Sequence, residues 1–211
     1  MEQSAKKTGK TYEMDMCSGP LFPKIVVFAV PLILSGILQL LFNAADIIVV
    51  GHFAGRESLA AVGSTTALIN LMINVFVGLS IGANVLVAQY SGAKKLKDLE
   101  ETVHTAMMLA LAGGFFLIFV GVFFSGPMLG LMGTPDDVLP LAALYLKIYF
   151  IGMPATLTYN FGAAILRAVG DTRRPLYFLL FAGAVNVVLN LVFVIAFSMG
   201  VAGVATATVV S

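Results

Sequence analysis

The residues equipped for chemistry are few, and they sit in apolar surroundings. Asp46 lies in the apolar run 25–50 and is the single acidic side chain within any of the long apolar segments. Ser35, Gln39 and Asn43 precede it at spacings of four, four and three, which places all four on one face of a helix. Pro31 continues the stripe one turn earlier, and Phe42 borders it. A charge at the centre of a bilayer costs about 2.5–3.5 kcal/mol on insertion scales, so this stripe must face other helices or a wet cavity rather than lipid. Two readings of Asp46 stay open. It is a carboxylate that binds a proton or cation, or a helix-end carboxylate that reaches water about one turn away, near Gly51.

Other apolar runs repeat the pattern. Thr66, Asn70 and Asn74 lie four apart in the second, and Asn186 and Asn190 lie four apart in the fifth. Each set lines one helix face, either as hydrogen-bond glue between helices or as a cavity wall. Gly78 and Gly82 have the small-xxx-small spacing of a helix-packing seam. Lys147, flanked by Tyr145 and Tyr149, reads as a snorkelling lysine. Nothing else suggests an enzyme: there is no P-loop, no nucleophile–base pair and no second intramembrane acid for an aspartyl protease. The one cysteine, Cys17, and two well-separated histidines, His52 and His104, make neither a disulfide nor a metal cluster. No cofactor is expected beyond a coupling ion, H+ or Na+.

The elements that position these residues follow from composition. Of 211 residues, 59% are hydrophobic and 11% charged. Soluble domains carry about 25% charged residues, so the natural solvent for this chain is lipid. A net charge of +1 argues against a nucleic-acid partner. Five runs reach the roughly 20 apolar residues that span a bilayer: 25–50, 59–88, 103–124, 138–166 and 176–197. Residues 200–211 make a sixth, incomplete span, and residues 1–20 form a polar tail. The expectation is an all-α integral membrane protein with five complete crossings, the transmembrane region occupying 21–211. A span cut short suggests a fragment of a longer protein. Pro31, Pro154 and the Gly78/Gly82 pair are candidate kinks.

Basic residues set the orientation. Of 12 Lys and Arg, ten fall on one side if the tail is cytoplasmic: Lys6, Lys7, Lys10, Lys24, Lys94, Lys95, Lys97, Arg167, Arg173 and Arg174. The opposite side holds only Arg56, and Lys147 lies within a span. The N-terminus is therefore expected in the cytoplasm, with the protein in the cell (inner) membrane.

Four stretches together resemble the N-terminal lobe of the multidrug and toxic compound extrusion (MATE) transporters. They are Val30-Pro31-Leu32-Ile33-Leu34 with Asn43-Ala44-Ala45-Asp46, Gly78-Leu79-Ser80-Ile81-Gly82-Ala83-Asn84, Leu166-Arg167-Ala168-Val169-Gly170-Asp171-Thr172-Arg173, and Gly200-Val201-Ala202-Gly203 running to Thr208. The resemblance implies a two-lobe secondary antiporter that exchanges H+ or Na+ for amphipathic, often cationic, compounds. It implies that Asp46 is the cation-coupling carboxylate and that Pro31 is a hinge. It also implies that Asn186 and Thr208 belong to a polar cavity network, alongside Ser35, Gln39, Phe42, Asn43, Asn70, Asn74 and Asn190 as cavity-lining residues. Asn190 departs from the pattern by standing where some prokaryotic members carry a second acid, and Phe42 by standing where they often have a tyrosine. The implied partners are membrane lipid, a small-molecule substrate, and a missing C-terminal lobe or a second copy. Two other classes stay open: a flippase-like relative for a lipid-linked substrate, which should carry basic residues inside its spans, and a non-transport membrane scaffold.

Overall fold

A computed structural model describes residues 21–211; the expected tail at 1–20, Cys17 included, lies outside the described residues. The described residues are helical almost throughout, with no strand among them. In chain order they form α1 (Leu21–Val49), α2 (Gly55–Gly92), α3 (Leu96–Leu131), α4 (Leu139–Ile151), α5 (Met153–Ala168), α6 (Arg173–Leu191) and α7 (Gly200–Val210). Short π-helical turns, Val50–Ala54 and Val192–Ala196, follow α1 and α6. The chain reverses at Gly55, whose φ of +87° is open to glycine but strained for an L side chain. Residues of α1 and α2 can then face each other across one cleft.

The run expected as one span over 138–166 is two helices. They meet at Gly152 with a bend of 52°. Pro154 sits in the first turn of α5, where its missing N–H costs no helical bond. Pro31 behaves differently. It lies inside an unbroken α1, which therefore lacks one rung of its hydrogen-bond ladder.

α2, α3, α4 and α5 pack on one another, whereas α1 packs chiefly on α6, and α7 joins that pair to α4. The central core is Leu117, Leu146, Phe150, Met153, Leu157 and Phe161, each at most 2% exposed. The outer surface carries the opposite pattern to that of a soluble protein, with Phe115, Phe116, Phe119 and Phe123 of α3 exposed. That is the dressing of a lipid-facing helix.

Small residues do set the helix approach, but not the pair expected. Gly78 and Gly82 have open space where a Cβ would be. The seam runs along α3 instead. A Cβ at Gly113 would enter the Phe76 ring, at Gly114 the backbone of Pro154, and at Gly121 the side chain of Phe150. The spacing of the first pair suited a seam, yet only contact with a partner helix makes one.

The loop between α5 and α6 is locked locally. Gly170 turns the chain at φ +88°. Asp171 is fully buried, and its Oδ1 accepts the backbone N–H groups of Arg173 and Arg174, each at 3.1 Å. Its Oδ2 lies 3.1 Å from Arg174 Nε, an ion pair outside good hydrogen-bond alignment. The carboxylate thus satisfies orphan amides at the start of α6. Tyr159 donates from its hydroxyl to the Pro175 carbonyl at 3.1 Å and ties the two helices together.

Two tests follow. Gly114→Ala is expected to destabilise the protein by about 1–3 kcal/mol, since a backbone atom cannot yield as a side chain can. Gly126→Ala, with open space at its Cβ, should be neutral or stabilising. Thermal midpoints in detergent compare the two. For orientation, single cysteines belong at the exposed Glu57 and Ala93 in a Cys17→Ser background. An impermeant thiol reagent added to intact cells should label position 57 and spare position 93.

Candidate functional site

Asp46 and Asn190 join α1 to α6. The amide nitrogen of Asn190 donates to Asp46 Oδ1 and, at 3.1 Å, to Asn186 Oδ1 one turn earlier. Asn186 Nδ2 in turn lies 3.5 Å from Thr208 Oγ1 and from Ser211 Oγ, long contacts that bring in α7. Asn190 is 1% exposed, and its own Oδ1 is buried with no hydrogen-bond donor. One turn from Asp46, the Phe42 ring lies against the backbone of Gly183, where any Cβ would overlap it. Gly183 therefore lets α1 and α6 approach closely enough for the carboxylate and amide to meet. Both helices change to π geometry just beyond this contact, and the two π turns touch each other.

A separate cleft of about 830 Å³ opens between α1 on one side and α2 and α5 on the other. Ser35, Gln39 and Asn43 line it from α1, and Asn70 and Asn74 from α2. Gln39, Asn43, Asn70 and Asn74 are exposed and make no side-chain hydrogen bond among the described residues. Ser35 is buried and donates to the Pro31 carbonyl at 2.8 Å. Of the α2 asparagines, the one that binds helices together is Asn84, which donates to the Ala164 carbonyl at 2.7 Å.

The expected single cavity is thus two sites. Phe42, Asn186, Asn190 and Thr208 do not line the cleft; they surround Asp46 at the α1–α6–α7 junction. The reason is axial. The helix face is shared, and what separates them is height: Asp46 lies about 10 Å farther along α1 than Gln39, at the level where the Asn190 amide of α6 meets it. A carboxylate in a low-dielectric bundle stays where a donor meets it.

The cleft also contains residues that sequence reading passed over. Thr156, Asn160 and Arg167 of α5 line it, with Tyr149 and Tyr159 beside them. Their spacing of four and seven marks a polar face, but the apolar run ends at 166 by hydropathy, which sets Arg167 among the loop residues. Lys147, the lysine within the apolar run 138–166, is exposed and does not line the cleft.

The MatE family model matches residues 31–192. The chain belongs to the MATE family. It is 31% identical over 197 residues to the probable multidrug resistance protein YpnP of Bacillus subtilis (strain 168), covering 93% of this chain and 44% of that one. With probable multidrug resistance protein YoeA of the same strain it shares 33% identity over 189 residues, covering 88% and 41%. A crystal structure of MATE in the bent conformation superposes with a TM-score of 0.84 at 28% identity, covering 91% of this chain and 43% of that one. The chain therefore spans about two fifths of the length of the relatives it matches. The family is one of multi-pass membrane transporters, not of enzymes.

The two sites differ in a measurable way. Asn190→Leu leaves the Asp46 carboxylate without its amide and should cost about 1–3 kcal/mol of stability. Gln39→Leu removes an exposed amide that makes no hydrogen bond among the described residues and should stay within about 0.5 kcal/mol of wild type. Thermal unfolding of the purified proteins distinguishes them.

Proposed function

We propose that this chain forms the N-terminal half of a cation-coupled antiporter that exports amphipathic, often cationic, organic compounds across the cell membrane. The coupling ion is H+ or Na+, it binds at Asp46, and the N-terminus is cytoplasmic. The observation that carries this reading is the Asp46–Asn190 contact, a carboxylate bridging two helices beside a buried amide oxygen that lacks a donor. Asp46, Asn186, Asn190 and Thr208 together offer only oxygen ligands to a cation, the donor set that hard cations prefer. With one carboxylate rather than two, a single proton or sodium ion neutralises the site.

Coupling follows from what the contact holds. Cation binding at the carboxylate competes with the Asn190 hydrogen bond that docks α1 on α6. The missing rung at Pro31 gives α1 a place to bend, so the occupancy of Asp46 biases the shape of the cleft that α1 walls. The amide-lined cleft is the substrate site in this reading. A second lobe, or a second copy, closes its open side.

Asp46→Asn keeps the size of the side chain and removes its change of charge. In proteoliposomes holding the complete gene product, an imposed proton or sodium gradient should no longer drive transport of ethidium above the level of protein-free vesicles. Membrane insertion should remain near normal. Gradient-driven transport at the wild-type rate would falsify the assignment and leave Asp46 as a structural tie between α1 and α6.

A further inference from the structure

Arg167 stands in the last turn of α5 with its side chain on the wall of the cleft. Its Nε is buried and has no hydrogen-bond acceptor. Two ordinary explanations of such an arginine do not account for it. The first is that it caps the helix, where a cation complements the exposed carbonyls. Those carbonyls are already taken: Val169 N–H bonds to Ile165 at 3.2 Å, Asp171 N–H to Leu166 at 2.9 Å, and Gly170 N–H to the carbonyl of Arg167 itself at 3.1 Å. The second is an ion pair. Asp171, the acid nearest in sequence, is engaged by Arg174 and the start of α6. Among the described residues no Asp or Glu lines the cleft, and no ion pair involves Arg167.

A guanidinium in a partly dry cleft carries several N–H donors in a planar fork, and burying it without an acceptor is costly. The fork matches the two oxygens of a carboxylate or phosphate. The rest of the cleft suits the body of such a molecule: Ile73, Val77 and Leu179 offer apolar contact, and Asn160 and Asn74 offer further donors. We propose that Arg167 is an oxyanion-binding residue of the cleft, so that the cleft accepts amphipathic molecules carrying an acidic group, organic anions and zwitterions, and not cations alone. This rests on the cleft being the substrate site. The oxyanion can belong to a free amphiphile or to the phosphate of a lipid headgroup.

The test uses the complete gene product in phosphatidylcholine nanodiscs, with binding to empty discs subtracted. Two probes share one apolar body, pyrenebutyrate with a carboxylate and pyrenebutanol without. Wild type should bind the carboxylate about tenfold more tightly, the scale of one charge-assisted hydrogen-bonded pair. Arg167→Gln should remove that preference while keeping affinity for the alcohol, and Arg167→Lys should retain part of it. In discs containing phosphatidylglycerol, a loss of pyrenebutyrate affinity that appears in wild type and not in Arg167→Gln assigns the oxyanion to a lipid headgroup. No such loss assigns it to the free amphiphile. Equal affinity of wild type for the two probes overturns the proposal even if the Gln variant does not fold, and leaves the cleft standing as a substrate site. Failure of wild type to bind either probe overturns both.

Discussion

A carboxylate inside a membrane bundle must meet a donor on another helix, and in this chain that requirement decides where α1 goes. Asp46 finds the Asn190 amide on α6, with Phe42 seated on Gly183 one turn away. α1 is therefore tied to α6, not packed into the α2–α5 core. The cleft is the consequence. It is the space left between a first helix held on one side and a compact core on the other, and its polar walls are the amides of α1 and α2 that have no partner across it.

The division of labour between the two sites has a physical logic. In the junction, the carboxylate, two asparagines and a threonine are knitted together with little room. Burial makes each of those contacts consequential, because a polar group left unpaired in low dielectric is costly. In the cleft, the amides are exposed and free to bond to whatever enters. In the proposed reading, the site that responds to a small ion has the first arrangement, and the one that accepts varied organic molecules has the second. α1 belongs to both, and its weak rung at Pro31 lies on the cleft side of the junction.

The loop between α5 and α6 supports this arrangement from the other end of those helices. Asp171 holds the first amides of α6, and Tyr159 reaches across to the Pro175 carbonyl, so α6 starts from a fixed point relative to α5. The sequence motif around Asp171 thus has a local explanation in hydrogen bonding. It also leaves Arg167, in the same stretch, with no structural task in the loop.

Much of the architecture was legible in the chain itself. Composition called for a helical membrane bundle, and runs of about 20 apolar residues located the helices, because a lipid solvent makes hydropathy and backbone satisfaction the dominant constraints. The stripe Ser35–Gln39–Asn43 and the pair Asn70–Asn74 could be read from four-residue spacing, since the 3.6-residue period is a property of one helix. What one helix cannot express is which neighbour its face meets. The tertiary structure alone decided that Asp46 meets α6 while the stripe it belongs to lines a cleft shared with α2, that Gly113, Gly114 and Gly121 form the packing seam while Gly78 and Gly82 do not, and that one apolar run breaks at Gly152 into two helices. It also decided that the cation of the cleft is Arg167 and not Lys147, for spacing fixes an angle around an axis, whereas a cleft exists only where several axes come together.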